Sequence, residues 1–369
     1  MNQDSEPSPD LAKFTFIEIG LPVVKRIYPE QTLCFSSRLH TGGSDETSRA
    51  LVASFEPFGG LRAALRRPDI AAVICHPTMF APWDWRWFAR SFFNRRFLRH
   101  GLPIASSWGP QFLRGQVAAP IAVVDLEDLP VINRCNLFLL DRSLVYFKRE
   151  LPTDHWRVFL KTGHHGVPTP RYRRVKRNRV RIDKLLPISL GLPNEALANL
   201  PKPQEKSVDI FFAGRVDDSA SLRRRGLEEL QALKERGVTL DIPEATLPTA
   251  EFYRRAAAAW LVWSPEGFGW DCFRHYEAAI CGSVPLISNP AIERYRPLRD
   301  GEHAVYYDVE PGGLTRAVLT ALADRPRLAA MALAAKAHVE ANHTPGAIVD
   351  YVLKTTLQRA SLIVAPRDR

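Results

Sequence analysis

No stretch of this 369-residue chain reaches the roughly 18 to 20 consecutive apolar residues that a bilayer-spanning helix needs. The first residues, MNQDSEPSPDLAKF, are polar and acidic, so the basic start and apolar core of a secretory signal are missing. Cysteine is scarce: Cys34, Cys75, Cys135, Cys272 and Cys281 are odd in number, and no two stand in CxxC spacing. That excludes a disulfide framework and a conventional zinc site, and a reducing cytosolic setting is expected. Most of these cysteines sit in apolar runs such as VICHP and AAICG and read as small core residues. No segment repeats.

What is present is charge of one sign and ample apolar material. The formal net charge is +10 and hydrophobic residues make up 46% of the chain, enough for two ordinary cores. A basic protein suits an anionic partner, whether a nucleotide sugar, an anionic membrane surface or a nucleic acid, or simply carries a basic surface.

Short apolar runs of strand length alternate with stretches of helical spacing, the pattern of an α/β protein with parallel sheets. In the first half, strands are expected at 15–19, 33–35, 71–75, 121–125 and 137–140, with helices at 51–65 and 85–100. Residues 192–207, rich in Pro, Lys and Glu, read as a linker. The rhythm then restarts, with strands at 208–212, 239–242, 259–263 and 284–287. Helices are expected at 221–236, 249–258, 271–281, 313–322, 326–342 and 344–359. The organisation expected is an N-terminal Rossmann-like domain at 1–195, a linker at 196–207, a C-terminal Rossmann-like domain at 208–345, and a last helix within 346–369 that packs back on the first domain. Open parallel sheets bind ligands outside the carboxyl ends of their strands, so the ligand is expected in a cleft between two doubly wound domains.

The most informative stretch is WSPEGFGWDCFRHYEAAICGSVPLI, residues 263–287. It reads as strand, Gly-rich turn, helix, Gly stop and strand. Gly267 and Gly269 allow close backbone approach to a ligand. A helix starting there would aim free N–H groups at an anion such as a diphosphate. Arg274 and Glu277 are three apart on one helix face. The arginine can neutralise a phosphate, and the carboxylate can accept two hydrogen bonds from a ribose diol. An ordinary strand–helix–strand unit with a surface Arg274–Glu277 ion pair fits the same pattern.

The run R-x-x-E-A-x-x-x-G-x-V-P-L-I, from Arg274 to Ile287, resembles the nucleotide-binding core of exostosin-like and related group 1 glycosyltransferases. The preceding SPEGFG is similar to the Glu-Gly-Phe-Gly turn of group 1 enzymes, and DIFFAGR at 209–215 to the strand and phosphate-side loop that open their donor domain. VYFKRE at 145–150 resembles a segment of exostosin-like first domains. The resemblance spans about residues 209–308, with weaker echoes over 123–191. It implies a GT-B fold, two facing Rossmann-like doubly wound domains with an interdomain cleft. It also implies a glycosyltransferase using a UDP- or GDP-linked sugar, with no further cofactor. Glu277 would hold the ribose and Arg274 the diphosphate, with Arg215 facing it. Glu266, Gly267, Phe268 and Gly269 would shape the sugar and phosphate pocket. Ten residues separate Glu266 from Glu277, where retaining group 1 enzymes have seven, so the stereochemical outcome stays open.

No DxD motif stands where a metal would be held, and adjacent Asp217 and Asp218 do not point the same way, so metal dependence is not expected. An inverting enzyme needs a general base near the acceptor hydroxyl. His76, after the strand 71–75, is one candidate; Asp125, Glu127 and Asp128, after the strand 121–124, are others. His76 also reads as a turn residue before Pro77, and the acids as caps of the next segment or partners of Lys148 and Arg149. WDWRWFARSFFNRRFLRH at 83–100 reads as an amphipathic interfacial helix or a core helix with snorkelling arginines. RYRRVKRNRVRIDK at 171–184 suits anionic lipid headgroups, an acidic acceptor or a nucleic acid, or reads as a solvated loop or basic strand near the cleft, and no nucleic-acid fold signature accompanies it. The expected acceptor is a glycan, a lipid-linked molecule or a small molecule, and the protein is expected in the cytoplasm or at the inner face of the membrane. A related phosphorylase or epimerase, a noncatalytic module of the same fold and a basic nucleic-acid-binding protein are the competing readings.

Overall fold

Parallel sheets covered on both faces need strands that are apolar nearly throughout, and the runs TFIEI, IAAVIC, IAVVD and VYFK meet that requirement. The structure, a computed structural model, describes residues 10–36, 46–78, 83, 108–160, 176–216 and 221–364. The chain divides into two compact units, one of Met1–Pro187 with Val349–Arg369 and one of Ile188–Ile348.

The first unit holds a six-stranded parallel sheet. Its strands are β1 (Thr15–Ile19), β2 (Thr32–Phe35), β3 (Ile70–Cys75), β4 (Ile121–Asp125), β5 (Val145–Lys148) and β6 (Leu185–Pro187), in the order β2-β1-β3-β4-β5-β6. Its core gathers Ile17, Val73, Val123, Tyr146 and Leu139. Glu18 is a buried carboxylate in β1. It accepts the backbone N–H groups of Val23, Val24 and Lys25 at 2.8–2.9 Å, which serves the start of the helix Val23–Ile27. Tyr351 donates to the Pro187 carbonyl at 3.0 Å and meets Phe147 edge-on, tying the C-terminal helix into this unit.

The second unit repeats the scheme with β7 (Val208–Phe211), β8 (Leu240–Asp241), β9 (Ala259–Ser264), β10 (Val284–Ser288) and β11 (Val305–Tyr307). All are parallel, in the order β11-β10-β9-β7-β8. In chain order each sheet begins second, first, third and continues in sequence, so the direction of winding reverses between β1 and β3 and between β7 and β9. Those reversals are the switch points at which such sheets take ligands.

The expected strand at 137–140 is instead the helix Leu137–Arg142, which buries Leu139 and Leu140; a short apolar run has no period that separates the two states. The following VYFK is the strand. The expected helix 51–65 is two helices, Glu46–Ala53 and Leu61–Ala64, parted around Pro57. Strands β6 and β11 are short and had no counterpart in the pattern. Residues 188–207 belong to the second unit, where Leu192 and Ala196 are buried against Tyr253 and Tyr276.

Candidate functional site

Beside the β7–β9 switch point lies a groove of about 890 Å³. Its walls come from the segment after β7 (Phe212, Gly214, Arg215), the segment after β8 (residues 242–247), and three helices: Ser221–Ala232 with Leu227, Thr249–Ala258 with Phe252, and Phe273–Ile280, which contributes Arg274 and Glu277. The motif read from sequence is thus brought against the loop that opens the unit. Gly282 ends the helix at φ +76°, the left-handed conformation a glycine stop requires.

Arg274 is positioned through a chain of close contacts. Gly226 leaves a notch for Trp263; a Cβ there would stand 2.3 Å from the indole. Trp263, fully buried in β9, packs on Phe212 at a centroid distance of 4.5 Å. The Arg274 guanidinium lies 5.4 Å over the Phe212 ring. Gly214 makes room for it, since a Cβ there would stand 2.8 Å from Nη2. The Nε and Nη1 atoms are buried and have no hydrogen-bond partner. Arg274 and Glu277 form no ion pair, so the surface-pair reading of their spacing fails. Glu277 Oε1 accepts from Tyr253 at 3.0 Å. Burial pushes the Glu277 carboxyl up, opposed by the Tyr253 hydrogen bond and the Arg274 charge. A groove with unsatisfied guanidinium donors and a carboxylate beside them can take a ligand carrying an anion and a diol.

Arg215 lines the groove and is exposed. Glu266, Gly267, Phe268 and Gly269 do not line it. Phe268 is 86% exposed, and Gly267 donates to the Gly269 carbonyl at 3.0 Å to close the turn. Burial pushes the Glu266 carboxyl up, opposed by the charge of Arg223. Arg223 was not singled out by any motif. It donates to the carbonyls of Arg215 and Glu266, both at 3.0 Å, joining the loops on either side of the switch point. Tyr253, also outside any motif, sits on the helix Thr249–Ala258 and is fully buried. Neither residue type carries a recognisable signal at these positions; only the fold brings them to the site.

In the first unit, His76 follows β3 at the β1–β3 switch point. It is 3% exposed, its Nε2 lies 3.2 Å from Glu18 Oε1, and its buried Nδ1 has no partner. Gly20 (φ +108°) lets the chain pass beneath it, with a Cβ position 3.0 Å from the His76 Cβ. Asp125 is occupied: Oδ2 accepts from the Tyr146 hydroxyl at 2.8 Å, and Oδ1 accepts the Glu127 N–H at 3.1 Å and stands 3.2 Å from the fully buried Lys148 ammonium. Asp128 pairs with Arg149, and burial raises the Glu127 carboxyl. Asp125 and Asp128 thus pair with Lys148 and Arg149, and Asp125 also caps the turn at Glu127.

Of the aromatic segment 83–100 only Trp83 is described, and it is 58% exposed; the rest, like Asp217 and Asp218, lies outside the described residues. So do residues 171–175 of the basic run. In its described part, Arg177 and Arg181 pair with Asp141, and Lys184 donates to the carbonyls of Leu140, Asp141 and Ser143. Those cations serve the fold. Among the described residues no helix is long and apolar enough to cross a membrane, and no three acidic, His or Cys side chains converge as a metal site.

No protein-family model and no curated protein matches the sequence. Solved structures match in fold. A glycosyltransferase from Rickettsia africae superposes with a TM-score of 0.56 at 10% identity, over 94% of this chain and 99% of that one. The Anabaena HepE protein in complex with UDP gives 0.51 at 11% identity over 95% and 99%. The UDP-forming α,α-trehalose-phosphate synthase of Burkholderia vietnamiensis gives 0.51 at 11% over 96% and 100%. Likeness at such identity shows the fold: the chain is built on the GT-B plan of two parallel-sheet α/β units.

Proposed function

We propose that the protein is a glycosyltransferase that binds a nucleotide-diphosphate sugar in the groove of its second unit. The observation that carries this reading is Arg274: a guanidinium held on Phe212 at the groove wall, with buried Nε and Nη1 donors unsatisfied, beside a carboxylate fixed by Tyr253. Unpaired buried donors are costly, and a phosphate oxygen would satisfy them. Glu277 would hold the ribose hydroxyls, with Arg215 toward the diphosphate. UDP is the favoured nucleotide, because two proteins sharing the fold are described with UDP or as UDP-forming.

Departure of the diphosphate builds negative charge on its oxygens. Arg274 and Arg215 would stabilise that charge, and the transfer is proposed to need no metal. His76 is the proposed general base. If Nε2–H donates to Glu18, Nδ1 keeps its lone pair for the acceptor proton. The acceptor is proposed to be a glycan, a lipid-linked saccharide or a small molecule. The +10 net charge suits a cytoplasmic protein meeting an anionic acceptor or membrane face. Flotation with anionic liposomes checks the membrane part: protein that stays in the soluble fraction refutes it.

A thermal-shift screen with UDP, GDP, ADP and CMP tests the function. At least one should raise the melting temperature, and Glu277→Ala should abolish that rise. If none of the four stabilises the protein, the reading is wrong and a noncatalytic or nucleic-acid-binding role takes its place.

A further inference from the structure

The turn leading into the Arg274 helix carries three groups that the donor site does not use. Ser264 ends β9 and is fully buried; Cys272 stands just before the helix Phe273–Ile280 and is partly exposed; His275 follows one turn later at 1% exposure. Ser264 Oγ lies 2.7 Å from His275 Nδ1 and 3.4 Å from Cys272 Sγ. The imidazole is also 3.7 Å from the sulfur. His275 Nε2 lies 2.9 Å from the Trp270 carbonyl, which can only accept, so Nε2 carries a hydrogen. Nδ1 is then the basic atom, and the Ser264 hydroxyl links it to the thiol. The proton on sulfur can pass to Ser264 as the serine proton passes to Nδ1, leaving thiolate, hydroxyl and imidazolium in line.

We propose that Cys272 is a modification site, a thiol deprotonated by His275 through Ser264 that reacts with peroxide and other soft electrophiles. Its surroundings favour this. Burial opposes the thiolate, but the His275 charge and hydrogen bond, the Arg274 charge and Ser264 outweigh it and bring the thiol down to about 6. His275 is raised in turn, burial opposing and Cys272 and Asp271 favouring its charge. Glu277 is the further charged group that bears on the sulfur. The position at the start of a helix adds its partial positive charge. Burial pushes the other four thiols up, Cys281 to about 12, so they do not compete.

With hydrogen peroxide the thiolate sulfur attacks one oxygen. The S–O bond forms, the O–O bond breaks, and the leaving hydroxide takes the proton held on His275 to become water. Sulfur loses two electrons, peroxide gains them, and the product is a sulfenic acid. The added oxygen must be placed against Ser264 and the first turn of the helix, two residues before Arg274. Oxidation is therefore expected to displace Arg274 and weaken nucleotide binding, a consequence that rests on the function proposed above.

The test is iodoacetamide labelling of the intact protein between pH 4.5 and 9.5, read cysteine by cysteine by peptide mass spectrometry. Cys272 should label roughly 10-fold faster than the other four at pH 7, with a midpoint near pH 6. His275→Asn should move that midpoint above pH 8, and Ser264→Ala should raise it if the first variant does not fold. A midpoint at the ordinary thiol range in the wild type, or a Cys272 inert to the reagent, overturns the proposal. In a second arm, peroxide should remove the UDP thermal shift of the wild type but not that of Cys272→Ala. If untreated protein shows no shift with any nucleotide, the groove reading fails and the labelling arm alone decides the thiol.

Discussion

Glu277 pays for its place in a groove. Burial holds its carboxyl above the ordinary 4.5, so the folded protein binds that proton more tightly than the unfolded chain does. Such a group supports folding below the ordinary value and costs stability as the pH rises through the folded one. Glu277→Gln is therefore expected to raise the melting temperature of the unliganded protein at pH 7, to leave it little changed near pH 4, and to lose nucleotide binding. Calorimetric melts at the two pH values, with and without UDP, check this. Tyr253→Phe removes the hydroxyl that fixes Oε1 and keeps the ring. Loss of about 1–2 kcal/mol of hydrogen bonding should weaken UDP roughly 5- to 30-fold in titration calorimetry. Arg274 and Glu277 were legible in the sequence, because a glycine turn, a helix and a three-residue spacing define them locally. Tyr253, Arg223 and Phe212 were not, because each reaches the site only through the tertiary fold. His76 was placed correctly at a strand's carboxyl end, but its Glu18 partner lies 58 residues away and no spacing announces it.

At the scale of elements, the site hangs on how β9 meets the helix Ser221–Ala232. Gly226 admits the Trp263 ring, Trp263 sets Phe212, and Phe212 carries Arg274. Gly226→Ala should cost about 1–3 kcal/mol of stability by overpacking and also weaken UDP, since the displaced indole pushes along that chain. Chemical denaturation and nucleotide titration on the same variant read the two effects. Most strands were legible because a buried parallel sheet writes continuous apolar runs. The exceptions are instructive: LFLLDR formed a helix where a strand was expected, and VYFK formed the strand. Four apolar residues fit either state, and the long-range pairing of Val145–Lys148 with β4 and β6 decided the matter. The proline-rich stretch 192–207 read as a linker because charge and proline mask Leu192 and Ala196, two small anchors in the second unit's core.

Over the whole molecule, the sequence-level rhythm of strands and helices foretold two α/β units, and each has the doubly wound order that puts a switch point at the end of its first strand. The second unit also carries an acid-sensitive cluster. His343 is fully buried, with Nδ1 2.9 Å from Ser189 Oγ and Nε2 2.8 Å from the Arg296 carbonyl, and His338 and His303 stack beside it. Burial pushes His343 down to about 3 and lowers His303. A histidine lowered in the folded state contributes stability that is complete above the unfolded value of 6.5 and is lost as the pH falls below it. Between pH 6.5 and 4 the protein should lose about 1.4 kcal/mol per pH unit to His343, and His343→Gln should flatten that slope in urea titrations.

The groove beside the β7–β9 switch point is proposed to hold a nucleotide diphosphate through Arg274. Isothermal titration of UDP into the wild type and Arg274→Ala tests it most directly. The wild type should bind UDP, and the variant should bind roughly 10-fold or more weakly, with uridine itself little affected, because a charge-assisted contact to phosphate is worth about 1.5–3 kcal/mol. A wild type that does not bind UDP or GDP, or an Arg274→Ala variant that binds as tightly as the wild type, would mean that Arg274 does not hold a diphosphate in this groove.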